Sequence, residues 1–399
     1  MPNTPTAPLP FLTQRGFPLA ERNDGPLAGL RVAVKDLFDI AGMKTGAGNP
    51  TWLAVHTPAT GTAEAVRLLL SSGATLVGKA LTDELAYSLT GDNIHYGTPL
   101  NAAAPDRLPG GSSSGSASAV SLGLADIGLG TDTGGSIRIP SSFCGLYGLR
   151  PTHGAVSTAG LIPLAPRFDT VGWMTRDAET LGKVGDVLLP EATPKPFERL
   201  LIAEPLFATL PEVHRAALAP VIDRLRDLWP QHGLFDAVTY DELADAAECF
   251  RILQAREAWH SHGGWISRHR PEFAPGIADR FEQAARISDA DVSGAEAKAA
   301  SFVATIRDAL GEGTLLCLPT APDIAPLRAS DPAALAGFRS AAMRLTCIAG
   351  LAGLPQLHLP CAEVNGVPFG LSLIAPAGCD RALLATVAET VTPALPTAR

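Results

Sequence analysis

The sequence predicts an α/β fold, and three stretches carry that prediction. "LRVAVKDLFDI" (30–40) is an apolar, β-branched run broken at Lys35-Asp36, which reads as a strand. "TAEAVRLLLSSGATLVGKA" (62–80) reads as a helix closed by Gly73 and followed by a short strand. "SGSASAVSLGLA" (114–125) is a small-residue helix, and "DIGLGTDT" (126–133) after it is a short buried strand. Strand and helix in alternation are the pattern of an α/β layer.

The remaining elements follow in order. From about Pro194 to Gly311 apolar residues fall at helical spacing with charges between them, as in "PEVHRAALAPVIDRLRDLW" (211–229), so residues 194–311 are expected to form a mainly helical, substrate-side region. Strand-like segments return at "TLLCLPTAP" (314–322), "PQLHLP" (355–360) and "GLSLIAP" (370–376), so the C-terminal part is expected to rejoin the sheet. Residues 1–25 are Pro/Thr-rich at the start and are expected to be an extended lead-in to a catalytic domain spanning 26–399.

Composition bounds the partners. The 399 residues are 46% hydrophobic and carry a net charge of -9, enough for a large core in an acidic enzyme. There is no Lys/Arg-rich stripe, which argues against nucleic acid, and no apolar run of about 20 residues, which argues against a membrane span. "MPNTPTAPLPFLTQRG" lacks the cationic and apolar regions of a secretory signal. The six cysteines are scattered without a C-x-x-C pair and are expected to be reduced thiols of a cytoplasmic protein.

Three Gly/Ser-rich signals compete for the chemistry. "GSSSG" (111–115) matches G-x-S-x-G and would make Ser113 a nucleophile, but a loop rather than a strand precedes it. "PGGSSSGSASAV" entering a helix could hold a phosphate, yet it lacks the lysine of a P-loop. In "GTDTGGSIRIP" (130–140), Ser136 follows two glycines in a segment suited to exposing backbone N–H groups, with no histidine between His95 and His153 to activate it. Lys35 at the strand end reads either as a solvated edge charge or, if buried and neutral, as the missing base. Ser112 and Ser136 read equally as turn or cap serines.

At this point a resemblance decides between the readings. "GGSSSGSASAVSLGLADIGLGTDTGGSIRIPSSFCGLYGLRPTHGAVS" (110–157) closely resembles the signature stretch of the amidase signature family of serine hydrolases. "VAVKDLFDIAG", "LPTAPDIAPL" and "AGLAGLPQLHLP…NGVPFGLSLIAP" are similar to other family segments. The resemblance implies a single large fold with a mixed central β-sheet flanked by helices on both faces. It implies Lys35 as base, Ser112 as bridging serine after a cis Gly111–Ser112 peptide, and Ser136 as nucleophile, with N–H groups of Thr133, Gly134, Gly135 and Ser136 as oxyanion donors. No metal or organic cofactor is implied, and the partner is a small-molecule amide, with homodimerisation left open.

Asp132 and Arg138 are expected to brace the oxyanion loop, Cys144 to be core, and His95 and His153 to be structural or pocket-lining. "LTDELAYSLTGDNIHYGTPLN" (81–101) and "FDTVGW" (168–173) look most like the indole-3-acetamide hydrolase version of the family. This makes Tyr87 a candidate for the acyl pocket, against an ordinary core tyrosine, and an aryl acetamide a candidate substrate. Trp259, His260 and Trp265 face either substrate or core. The alternatives are an amidotransferase-type subunit that passes ammonia to an acceptor and, in another class, a nucleotide- or phosphate-binding module.

Overall fold

The computed structural model describes residues 10–13, 16–193 and 195–395. These build one mixed sheet of eleven strands with helices packed on it. The N-terminal half supplies β1 (Phe11–Thr13), β2 (Arg31–Lys35), β3 (Thr75–Ala80), β4 (Ile127–Asp132), β5 (Tyr147–Arg150) and β6 (Thr170–Thr175). The rest come later: β7 (Arg199–Ile202), β8 (Gln231–Leu234), β9 (Thr314–Pro319), β10 (Gln356–Val364) and β11 (Val367–Ile374). They lie in the order β1-β3-β2-β4-β6-β5-β10-β11-β9-β7-β8.

Apart from β1, which pairs antiparallel with β3 at one edge, the sheet is parallel toward both flanks and antiparallel in the middle. β3, β2 and β4 run parallel, because the helices Glu64–Ser71 and Ser114–Ser121 carry the chain back across the face between them. β10 and β11 form a hairpin instead, closed by Asn365-Gly366 with φ of 54° and 73°, the left-handed pair that a two-residue turn demands. The C-terminal strands rejoin the sheet as the sequence predicts, through β10 pairing with β5.

Both faces are covered. Along β9, Leu315 and Cys317 join the buried cluster of Leu357 and Leu359, while Leu316 and Leu318 join the opposite cluster of Phe250 and Ile348. This alternation is what a sheet packed on two sides requires. Residues 194–311 contribute the helices Glu212–Leu228, Tyr240–His269, Pro275–Ala284 and Asp289–Leu310, and also two strands at one end of the sheet, β7 and β8, that the spacing did not reveal. Of the 1–25 lead-in, residues 1–9, 14 and 15 lie outside the described residues, and Phe11–Thr13 pairs antiparallel with β3.

Candidate active site

Lys35 is the last residue of β2, between β3 and β4, and its side chain is fully buried. The edge-charge reading is therefore wrong: an inner strand covered on both faces offers no solvent at its end. Its Nζ lies 2.8 Å from Ser112 Oγ, 2.8 Å from Thr131 Oγ1 and 3.1 Å from Ser113 Oγ. All three partners are neutral hydroxyls. Burial pushes the Lys35 pKa down from the ordinary lysine value, against the weaker pull of the Asp83, Asp132 and Asp169 charges.

Ser112 follows a cis peptide with Gly111, as the resemblance implies. The turn is pinned from both sides. Gly111 N–H donates to Leu89 O at 2.9 Å, and Asp83 N–H donates to Ser112 O at 3.3 Å. A Cβ on Gly111 would overlap the Asp83 carboxylate, so the crowding admits no larger residue. Asp83 is itself fully buried and accepts from Gly91 N–H at 3.0 Å; burial raises its pKa. Ser113 sits at the start of the helix Ser114–Ser121, and its hydroxyl is tied to β4 by bonds to Thr131 O (3.2 Å) and Thr131 N (3.3 Å). That engagement, with loop rather than strand before it, removes the elbow geometry.

The loop bearing Ser136 hangs on Asp132, the last residue of β4. One carboxylate accepts from Gly135 N (2.9 Å), Ile137 N (3.1 Å) and the Arg138 fork (Nε 2.9 Å, Nη2 2.7 Å). Arg150 Nη1 adds contacts to Asp132 Oδ1 (3.1 Å), Asp132 O (2.6 Å) and Thr133 O (3.1 Å). All three charged side chains are fully buried. Burial alone would raise the Asp132 pKa, but the Arg138 charge and hydrogen bonds, then the Arg150 charge, outweigh it and hold the carboxyl well below the usual range. Thr133 Oγ1 donates to Asp169 Oδ1 at 2.6 Å, and Thr346 Oγ1 donates to Gly134 O at 2.9 Å.

Gly135 has φ of 126°, a conformation L side chains rarely adopt, and this is why the position is glycine. Its N–H is engaged by Asp132, so of the four expected oxyanion donors it is the one committed inside the loop. Ser136 is 3% exposed, and its hydroxyl forms no hydrogen bond among the described residues, to Ser112 included. The two serine loops nevertheless abut: a Cβ on Gly135 would stand 3.6 Å from Leu89, whose carbonyl holds Gly111. A Cβ on Gly134 would meet Phe250, Gln254 and Met343 at 3.2–3.3 Å, so the loop faces the helices Tyr240–His269 and Pro332–Ala352.

The other candidates separate clearly. Tyr87 is buried, packs edge-on against Phe281 at 5.1 Å and shares the cluster of Leu89, Phe250 and Met343. Cys144 is buried, with its thiol pKa pushed up by burial. His95 Nε2 meets Glu84 at 3.1 Å, and His153 Nε2 meets Pro166 O at 2.9 Å; neither contacts a candidate serine. Trp265 packs on Trp52, Trp259 is half-buried and His260 is exposed. Among the described residues no group of three His, Cys, Asp or Glu is placed to hold a metal ion. Sequence reasoning gave no role to Thr131, Asp83, Arg150, Asp169 and Thr346; the first four lie inside the quoted stretches 81–101, 110–157 and 168–173, and only Thr346 lies outside them.

The comparisons with known proteins agree on the neighbourhood. The profile of the Amidase family matches residues 14–206. The chain is 41% identical over 391 residues to "Amidase 1" of Arabidopsis thaliana, covering 90% of this chain and 92% of that one. It is 30% identical over 406 residues to a glutamyl-tRNA(Gln) amidotransferase subunit of Methanospirillum hungatei, covering 90% and 91%. A solved structure titled "Crystal structure of amidase" superposes with a TM-score of 0.81 at 32% identity, over 92% of this chain and 85% of that one.

Proposed function

We propose, since this chain belongs to the amidase family of amide hydrolases, that it cleaves a small carboxamide through an acyl-enzyme on Ser136, with Ser112 and neutral Lys35 relaying the proton. The observation that carries this reading is the buried Lys35 Nζ at 2.8 Å from Ser112 Oγ. A serine needs a base, and an ammonium stripped of water and of any paired carboxylate gives up its proton more readily.

In the proposed sequence, Lys35 takes the proton of Ser112 while Ser112 takes that of Ser136. Ser136 Oγ bonds to the amide carbon, and the N–H groups of Thr133, Gly134 and Ser136 receive the oxyanion. Ser112 returns the proton to nitrogen as the C–N bond breaks, releasing ammonia or an amine. Water, deprotonated by the same relay, then attacks the ester and releases the carboxylate. Phe250 and Met343 beside Gly134 suit an aromatic acyl group, so an aryl acetamide such as indole-3-acetamide heads the substrate panel, and Tyr87 is assigned to the acyl pocket.

Ammonia release from a panel of primary amides tests this, with Lys35→Ala and Ser136→Ala beside the unaltered protein. Both variants are expected to lose at least a thousandfold in rate while keeping a cooperative unfolding transition. An active Ser136→Ala with a dead Ser113→Ala sinks the assignment. The 30% identity to an amidotransferase subunit favours a second reading, ammonia delivery to an acceptor; ammonia released freely without any partner protein decides against it. Family membership sets the Gly/Ser loop in an amide hydrolase, not a nucleotide-binding module.

A further inference from the structure

We propose that Arg280 and Arg339, set around Tyr87, form a subsite for a carboxylate carried on the far end of the substrate's acyl group. The proposal rests on the reading of Ser136 as nucleophile and deepens it by naming the class of acyl group. Arg280 Cζ stands 5.6 Å from the Tyr87 ring centroid and Arg339 Cζ 6.0 Å from it. The two come from different helices, Pro275–Ala284 and Pro332–Ala352. Neither has an ion-pair or hydrogen-bond partner among the described residues, and the Nε of each is buried without one. The Tyr87 hydroxyl likewise has no partner among the described residues. By contrast, Arg138, Arg150, Arg226, Arg251 and Arg381 each reach a carboxylate at 2.6–3.1 Å.

Two guanidinium groups on one ring are a poor arrangement in isolation. Each gains from the ring face, yet they repel each other and leave each buried Nε–H unpaired. A carboxylate removes both faults, because its two oxygens match the forked donors of arginine and its charge offsets the pair. The electrostatics point the same way. Burial lowers the Arg280 pKa to about 9, and the Arg339 charge is the next cause, so an anion between them relieves that second cause; burial lowers the Arg339 pKa as well.

The subsite is connected to the reacting loop. Arg339, Met343 and Thr346 follow at i, i+4 and i+7 and share one face of their helix. Met343 lies against Gly134 and Thr346 bonds Gly134 O, so Arg339 stands about 10 Å along the helix from that bond. On the other side Tyr87 is two residues from Leu89, which abuts Gly135. Leu89, Phe250 and Met343 share the Tyr87 cluster and border the loop, where the Gln254 amide also stands beside Gly134. An aryl acetamide fills that length and leaves the arginines unanswered. An acyl group with an apolar middle and a terminal carboxylate answers both.

The test compares ammonia release from adipic acid monoamide and from hexanamide, its neutral counterpart, in the full-length protein, Arg280→Met and Arg339→Met. The unaltered protein should prefer the anionic amide at least tenfold in kcat/KM. Each variant should lose that preference tenfold or more, chiefly through KM, with partial recovery in Arg339→Lys. Adipate should inhibit the unaltered protein competitively, with a Ki raised at least tenfold in the variants. Equal rates on the two amides together with no inhibition by adipate overturn the subsite, and this arm needs no variant to fold. Calorimetric binding of adipate to Ser136→Ala separates the two readings: arginine-dependent binding beside undiminished hydrolysis in Ser136→Ala supports the subsite and sinks the nucleophile.

Discussion

Replacing Asp132 with Asn removes one negative charge from between two buried guanidinium groups and leaves both uncompensated. The carboxylate accepts three backbone N–H groups and the Arg138 fork, and touches Arg150. Breaking a buried ion pair by removing one partner costs about 3–5 kcal/mol, and the second arginine places the expected loss toward the upper end. The carboxamide still accepts on one oxygen, but its NH2 meets donors on the other side, so the loop from Thr133 to Ser136 shifts. Mispositioning one oxyanion donor lowers the rate by about 10²–10³-fold.

Urea unfolding at pH 7 reads the first quantity and ammonia release the second. The sign of the pH dependence follows from the depressed Asp132 pKa: its stabilisation is complete above the ordinary carboxylate value of 3.8 and is lost only as pH falls below it. The gap between variant and parent should therefore be flat from pH 5 to 8 and narrow only in stronger acid. A variant within about 1 kcal/mol of the parent and within threefold of its rate would refute the view that this carboxylate holds the loop.

Two further outcomes follow from the buried lysines. Lys35 must lose its proton to act as base, and burial lowers its pKa, so the rate should rise with pH along a limb whose midpoint lies below the ordinary 10.5; a rate flat from pH 5 to 10 excludes it as the base. Lys79 pairs with Asp36 at 2.8 Å, with side chains 1% and 6% exposed, so Lys79→Met strands a buried carboxylate and should cost about 3–5 kcal/mol in urea unfolding. A loss below 1 kcal/mol there shows that Asp36 takes up a proton instead.

How much of this was legible in the sequence depends on the distance over which each feature is determined. The helices and strands from β2 to β4 were readable, because their apolar periodicity is local. β7 and β8 were not, since four-residue strands inside a helical region leave no period to detect. Lys35, Ser112 and Ser136 came from motif resemblance, whereas Lys35 alone looked like an edge charge until the sheet order placed β2 inside. Arg150, Asp169 and Thr346 meet the oxyanion loop only through the sheet and the helix Pro332–Ala352, across separations as long as 212 residues. No spacing rule reaches that far. The unpartnered state of Arg280 and Arg339 is likewise a property of what surrounds them, not of their own sequence neighbourhoods.

The site's logic lies in where the carboxylates are spent. Asp83, Asp132 and Asp169 all lie near enough to pull on the Lys35 charge, Asp83 most strongly, yet none of them bonds its Nζ, and each has at least one oxygen engaged elsewhere. Asp132 is held by two arginines, Asp169 by the Thr133 hydroxyl and the N–H groups of Leu164 and Ala165, and Asp83 by Gly91 N–H. Lys35 therefore meets only hydroxyls, and desolvation rather than ion pairing sets its protonation. A carboxylate released from any of these duties would favour the ammonium and stall the relay. The arginine brace on Asp132 thus has two consequences from one set of contacts: it shapes the loop that carries Ser136, and it keeps one of the three carboxylates that pull on the Lys35 charge engaged away from the base.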